Sequence, residues 1–444
     1  MTTTSHLTQT RFSNLELSDP IIRSLKEAGF ECCTPIQYRA LPLLLRDRDI
    51  AGQAQTGTGK TATFLLAMFQ YLLNDNERAT EETPAKPEAG AKKKAKGPRA
   101  LVLAPTRELA IQIHKDALNL SKQLSFKFAL IYGGTDYQKQ LEKIKSNVDV
   151  IIGTPGRIID FYKQDAFSLD AIKVTVMDEA DRMFDLGFIK DIRYLLRRMP
   201  PPDQRLNMLF SATLSYKVTE LAYEHMNNPV LIKIETEEVT SKAIEQSAYC
   251  PANEQKIPLL LGLLNALQPS RSIVFVNTKR CAEQLNDVLN ANGHKAVALS
   301  GDVPQEKRQR LLGEFQNNDV HLLIATDVAA RGLHIDGVSH VFNYDLPQDV
   351  EDYVHRIGRT ARFGSSGAAI SFICEEYAYS MPDIEAYIGE KVPVKSINKD
   401  LLVTAYQQPE VKAREPKADV NGKRRPRFKN KKPRAPASAH ENPQ

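Results

Sequence analysis

At 444 residues, with 42% hydrophobic and 25% charged residues and no Trp, the chain is too long for one core and suggests two or three globular domains. No apolar run reaches the roughly 18 residues of a membrane span, the opening MTTTSHLTQT is polar, and the five cysteines (Cys32, Cys33, Cys250, Cys281, Cys374) form no CxxC pair. No signal peptide, disulfide framework or zinc site is expected from this pattern, which fits the reducing cytoplasm. The net charge of +5 belongs to the tail: residues 411–444 carry 11 Lys/Arg against 3 Asp/Glu, and the rest of the chain balances to −3.

Residues 1–11 are expected to be flexible. The run LELSDPIIRSLKEAGF predicts a helix begun near Ser18-Asp19-Pro20 and ended at Gly29. Thr34-Pro35-Ile36-Gln37 opens a second helix, through about Leu45. After a Gly-rich loop, RALVLAP, FALIYGG, DVIIGTP, VTVMDEAD, NMLFSAT and VLIKI alternate with helical runs, as in βαβ units around a parallel sheet. The stretch 75–98, rich in Glu, Lys, Ala and Pro, predicts a disordered insert. Its AKKKAK could touch nucleic acid, although a solvated linker is the plainer reading. Residues 234–246 read as an interdomain linker, and SIVFVNT, KAVALSGD, HLLIATD, HVFNYDLP and AAISFIC form a second alternating series. Two α/β domains are thus expected, over 12–233 and 247–400, with a ligand cleft between them. Residues 401–444 read as a disordered basic tail.

The strongest local signal is AQTGTGKT, residues 54–61, between a strand-like segment and an apolar helix. Gly57 and Gly59 let backbone N–H groups converge on phosphate oxygens at a helix N-terminus, Lys60 can reach the β and γ phosphates, and Thr61 can ligate Mg²⁺. Ala54 stands where this pattern usually starts with Gly. In VTVMDEAD an apolar strand stops where charge begins; taken alone, such an end is more often a solvated helix start. Beside a phosphate cradle, Asp178 can hold Mg²⁺ through water, and Glu179 can orient and deprotonate an attacking water.

Asp178-Glu179-Ala180-Asp181 spells DEAD, and residues 12 to 375 resemble the DEAD-box RNA helicases of superfamily 2. Phe12 with GFECCTPIQ (29–37) resembles the Q motif, AQTGTGKT motif I, PTRELA (105–110) motif Ia, and Gly133-Gly134 the paired glycine. TPGR (154–157) matches motif Ib, DEAD motif II and SAT (211–213) motif III. IVFVNT (273–278), QEKR (305–308), ATDVAARG (325–332) and HRIGRTAR (355–362) follow as motifs IV to VI. The ordered set, rather than any one match, carries the resemblance.

The resemblance implies two tandem RecA-like domains, ATP as substrate with Mg²⁺, RNA as a largely sequence-independent partner, and local unwinding of short duplexes in RNA degradation or processing. It implies ATP binding by Phe12, Gln37 and the loop Ala54, Gln55, Thr56, Gly57, Thr58, Gly59, Lys60 and Thr61. The Gln37 amide has the bidentate geometry that pairs with adenine, and Phe12 can stack on the ring. Catalysis falls to Lys60, Asp178, Glu179, Arg359 and Arg362, the last two as arginine fingers across the cleft. Coupling falls to Asp181, Ser211, Thr213 and His355. RNA contacts fall to Thr106, Arg107, Gly134, Thr154, Gly156, Arg157, Thr278, Arg308 and Thr326, which suit phosphate and 2′-OH groups rather than base edges. One departure is ARGLHID: His334 stands where the family usually has a ribose-contacting Asp, with Asp336 two residues on. The protein is expected to be a monomer when free, with an RNase E-like degradosome scaffold as a second partner. The tail reads as a salt-sensitive RNA tether or a solubilising end. An ATP-gated RNA clamp with little unwinding, and a DNA helicase, are the alternatives.

Overall fold

The computed structural model describes residues 7–54, 57–81 (backbone only at 78–81), 97–234, 243–330, 335, 337–361 and 366–409. Strands form at the short apolar runs: β1 (Ile50–Gln53), β2 (Ala100–Leu103), β3 (Phe128–Ile131), β4 (Val150–Gly153), β5 (Val174–Met177), β6 (Leu206–Ser211) and β7 (Val230–Lys233). They pair in parallel in the order β3-β4-β2-β5-β6-β1-β7. Val174 and Val176 of β5 pack into a core with Phe64 and Phe69 of the helix Lys60–Glu81. Met177 faces the opposite core, with Ile158, Phe161 and Ile192. Helices thus cover both faces, which is why the strands read as continuous apolar runs rather than as alternating ones.

The second half repeats the plan with β8 (Ile244–Tyr249), β9 (Ser272–Phe275), β10 (Ala296–Leu299), β11 (Leu322–Ala325), β12 (His340–Asn343) and β13 (Gly367–Phe372). Their order is β10-β11-β9-β12-β13-β8, again parallel. Both sheets are flanked by helices, the two RecA-like α/β domains expected from the sequence.

Strand order decides which loops meet. In a parallel sheet, ligands bind beyond the carboxyl ends of strands. Because β6 lies between β1 and β5, the loops AQTGTGKT, DEAD and SAT emerge side by side. The motifs at 106–107, 133–134 and 154–157 follow β2, β3 and β4, on the other half of the same edge.

Four segment ends differ from the sequence expectation. Residues 8–10 are held rather than free, with the Thr8 amide donating to the Cys33 carbonyl at 2.8 Å and the Cys33 amide donating to the Thr10 carbonyl at 2.8 Å. The helix Lys60–Glu81 runs past 75, into the stretch read as an insert. Strand β8 starts at Ile244, inside the stretch read as a linker; its IEQSAY sequence is half polar because it is the edge strand of its sheet, with β13 on one side and a single bridge from Ala248 to Val394 on the other. Leu401, Leu402, Val403 and Tyr406 pack on the second core, and Asn292 exchanges hydrogen bonds with Gln407, so the fold continues beyond 400. The rest of the expected insert, linker and tail (82–96, 235–242 and 410–444) lies outside the described residues.

Candidate active site

The helix Lys60–Glu81 begins directly after a turn in which Gly57 and Gly59 have φ of +86° and +94°. A Cβ at Gly59 would also come within 2.6 Å of the Gln37 amide nitrogen, so conformation and space both require glycine there. Lys60 is buried, and its ammonium donates to the Ala54 carbonyl at 2.7 Å, leaving two N–H groups for an anion. Ala54 is itself fixed by its amide, which donates to the Ser211 carbonyl at 3.0 Å. Thr58 and Thr61 are half-buried on the loop and the first turn, and Gln55 and Thr56 lie outside the described residues.

Gln37 is buried in the first turn of the helix Pro35–Leu44. Its Oε1 accepts from the Thr34 amide at 2.8 Å, and its Nε2 donates to the Gly59 carbonyl at 3.2 Å. Both ends of the amide expected to read adenine therefore tie its own turn to the phosphate loop. The Thr34 hydroxyl oxygen beside it is buried without a hydrogen-bond partner. Phe12 is 2% exposed and packed in the first core, so stacking on a base would require its ring to open toward the cleft.

At the end of β5 the Asp178 amide donates to the Leu103 carbonyl at 3.1 Å, and Asp178 Oδ1 accepts from the Glu179 amide at 3.0 Å. Burial pushes the Asp178 carboxyl up to about 7; Lys60 opposes the rise, and Glu179 and Asp181 add to it. Glu179 has φ of +51° and ψ of +53°, a left-handed setting that a non-glycine residue adopts at some cost. This kink turns the chain from β5 into the helix Ala180–Asp185. One carboxylate oxygen of Asp181 then accepts from the Ala212 and Thr213 amides at 3.1 and 3.2 Å, and its own amide donates to the Ser211 hydroxyl at 3.2 Å. The acidic strand end and the SAT loop are therefore one rigid piece.

The second domain faces this piece with the helix Val350–Ile357, whose N-cap Asp349 accepts from the Glu351 amide at 3.0 Å. Arg182 spans the seam, donating to Asp352 at 3.0 Å and bonding His355 Nδ1. A narrow pocket at the seam is lined by Lys60, Glu179 and Asp181 from one side and His355 and Arg359 from the other. Lys60, Glu179 and Arg359 thus share one cavity. Arg362, His334 and Asp336 lie outside the described residues.

Of the residues expected to meet RNA, those of the first domain lie on the other half of its edge, and Thr278, Arg308 and Thr326 belong to the second domain. Thr106 and Thr278 are N-caps whose hydroxyls accept from the Leu109 and Cys281 amides at 3.2 and 3.1 Å, leaving each O–H free to donate. Thr154 precedes the helix Pro155–Lys163, and the space beside Gly156 is open. The Arg157 guanidinium stacks 5.4 Å over Tyr137 and 5.8 Å over Phe161. Arg107 packs against Gly133 and Gly134, the latter at φ of +84°, and donates to Gln305 across the seam at 3.2 Å. Thr326 is buried at the end of β11. Arg308 departs from its expected setting: it is buried, with Nε 2.6 Å from a Glu108 carboxylate oxygen across the seam.

Sequence reading missed Arg182 and Arg356. The Arg356 guanidinium is 1% exposed and grips both Asp327 oxygens at 2.7 Å. Only its place inside HRIGRTAR offered a signal. For Arg182 the signal is a cation next to DEAD, but its partner Asp352 is 170 residues away.

The comparisons agree with this geometry. A DEAD/DEAH box helicase model matches residues 34–221, and a helicase conserved C-terminal domain model matches residues 255–364. The chain is 54% identical to the ATP-dependent RNA helicase RhlB of Shigella dysenteriae over 91% of its own length and 93% of the relative's. It is 55% identical to RhlB of Xanthomonas axonopodis pv. citri over 93% of its length and 70% of the relative's. Among solved structures, S. cerevisiae Dbp5 bound to RNA and ADP BeF3 matches with a TM-score of 0.74 at 33% identity, covering 87% of this chain and 95% of that one.

Proposed function

This chain belongs to the DEAD/DEAH box helicases as an ATP-hydrolysing RNA helicase, and on that premise we propose that its cleft, closing on ATP and RNA, opens short duplexes locally. The observation that carries the reading is the shared cavity, in which Lys60 and Glu179 of one domain face His355 and Arg359 of the other. In the proposed division of labour, Lys60 and the loop amides bind the β and γ phosphates and Glu179 deprotonates the attacking water. Arg359 meets the charge that develops on the transferred phosphoryl group, with Arg362 as its partner finger. Gln37 and Phe12 read the adenine.

Thr61 and Asp178 offer hard oxygen donors, and a buried carboxyl raised to about 7 is a group that a cation would bind and deprotonate, so the site fits Mg²⁺. The ion would be held by these two residues, partly through water, and would neutralise phosphate charge. RNA binding falls to Thr106, Gly134, Thr154, Gly156, Arg157, Thr278 and Thr326, with Arg107 and Arg308 exchanging their seam partners for phosphate. Because half of the site comes from each domain, hydrolysis depends on closure, and RNA spanning both edges favours closure.

The similarity to RhlB supports a role in RNA degradation with an RNase E-like scaffold, in the cytoplasm and as a monomer when free. Among the described residues, no helix is long and apolar enough to cross a membrane. A second reading, an RNA clamp that hydrolyses ATP only to reset, is favoured by the seam pairs Arg182–Asp352 and Glu108–Arg308, which hold the domains together. ATP hydrolysis measured with RNA and DNA strands of matched length tests the RNA reading; equal stimulation by both would overturn it. Duplex release without RNA retention favours unwinding, and retention without release favours the clamp.

A further inference from the structure

We propose that Lys256, which lies in none of the recognised motifs, is a positioning residue that keeps the RNA-facing and nucleotide-facing loops of the second domain in one register. The proposal rests on the RNA-stimulated ATPase reading above. Lys256 opens the helix Lys256–Leu267 and is 5% exposed. Its ammonium lies 2.5 Å from Asp345 Oδ1 and faces the rings of Tyr344 and Tyr377 at 4.2 and 5.6 Å. The second oxygen of Asp345 accepts from the Asn277 amide at 2.9 Å. The Asn277 side chain donates to the Leu346 carbonyl at 2.8 Å and accepts from Arg356 at 2.9 Å. Arg356 closes the series on Asp327.

Each link sits beside a site residue. Asn277 precedes Thr278, Asp327 follows Thr326, and Arg356 lies between His355 and Arg359. The strands that supply them, β9, β11 and β12, are adjacent, so one buried network ties the loops expected to hold RNA to the helix that faces the phosphates. A buried carboxylate satisfied on one side only would turn toward its remaining donor or take up a proton. With Lys256 gone, Asp345 loses the partner that aims its other oxygen at Asn277. The carboxylate then turns toward its remaining donors, the Asn277 amide and the Cys281 thiol, which shifts the start of the helix Lys279–Ala291 and, through Asn277, the seat of Arg356.

A pair kept only for stability behaves differently, because replacing both partners with neutral groups restores what removing one destroys. The test uses the full chain and three variants: Lys256→Met, Lys256→Arg, and Lys256→Met with Asp345→Asn. Three readouts are taken: ATP turnover at saturating unstructured RNA, affinity for a non-hydrolysable ATP analogue without RNA, and the melting temperature. Lys256→Met is expected to lose about tenfold or more in RNA-stimulated kcat while analogue affinity stays within about twofold. Lys256→Arg, which restores a cation, is expected to recover most of the turnover. The double variant is expected to recover the melting temperature but not the turnover. The proposal is overturned if the double variant recovers both together, or if Lys256→Met keeps turnover within about twofold of the parent. Should Lys256→Met fail to fold, Lys256→Arg and the double variant carry the same decision. Absence of RNA stimulation in the unaltered protein would instead sink the underlying functional reading, before any variant is made.

Discussion

The two halves of the cleft hold their charged groups by different means. In the first domain the anchors are backbone groups of nearby loops: Ala54 for Lys60, the Glu179 amide for Asp178, and the Ala212 and Thr213 amides for Asp181. In the second domain the anchors are other side chains from distant segments, Arg356 on Asp327 and Lys256 on Asp345. A loop amide does not ionise, so the Lys60, Asp178 and Asp181 side of the first half is set by the course of the chain, although Phe12 must still open to reach a base. A side-chain network holds only while every member is present, and it can shift as a unit when one contact changes. The first half therefore suits binding and chemistry, and the second suits conditional participation.

Removing a group that acts only when the cleft is shut should have the largest effect. Arg359→Ala is expected to lower kcat by about 10³-fold while changing ATP affinity only a few-fold. Equal losses in both would place Arg359 in ground-state binding and erase the contrast between the halves. Glu179→Gln should reduce single-turnover hydrolysis by about 10²–10³-fold with ATP and RNA binding preserved. Turnover within a few-fold of the parent would remove Glu179 as the base.

Smaller effects follow for the rigid piece itself. Asp181→Ala leaves two loop amides without their acceptor, and duplex release per ATP is expected to fall about tenfold with ATP affinity little changed. An unchanged release yield would show that the SAT loop does not need this tie. The mildest test is pH. Asp178 titrates near 7, and a cation needs its carboxylate, so metal-dependent nucleotide affinity should rise from about pH 6 and level off by about pH 8. The stability of the ligand-free protein should move the other way. Its raised carboxyl holds a proton that the unfolded chain has released, so stability declines as pH climbs from the ordinary carboxylate range toward 7. Affinity titrations and melts at the same pH values check both signs; a flat affinity profile would exclude Asp178 as the group that governs cation binding.

The first half was readable from sequence for the same reason that it is rigid. Gly57, Gly59, Lys60 and Asp178 act through neighbours a few residues away, and such neighbours leave a spacing that can be recognised. Arg182, Arg356 and Lys256 act through partners 170, 29 and 89 residues distant, and nothing near them in the chain announces the pairing. Gln37 was recognised for its amide, and its tie to Thr34 is a local contact three residues apart, but its tie to Gly59 was not foreseeable, because it depends on two loops meeting. Arg308 was expected at RNA from its place in QEKR, through the family resemblance, and its Glu108 partner sits in the other domain. Strand β8 escaped because an edge strand has one solvated side and so lacks the apolar run that marked β9 to β13.

The helix Lys60–Glu81 carries one further consequence. It leaves the phosphate loop at the carboxyl edge of the first sheet and ends on the opposite side, where the chain returns through Gly97 to enter β2 from its amino end. Segment 82–96 therefore joins elements at the edge opposite the loops proposed to hold nucleotide and RNA. A fluorescent protein or an affinity module spliced into this segment should leave the helicase cycle intact, making it a natural handle for following the enzyme at work.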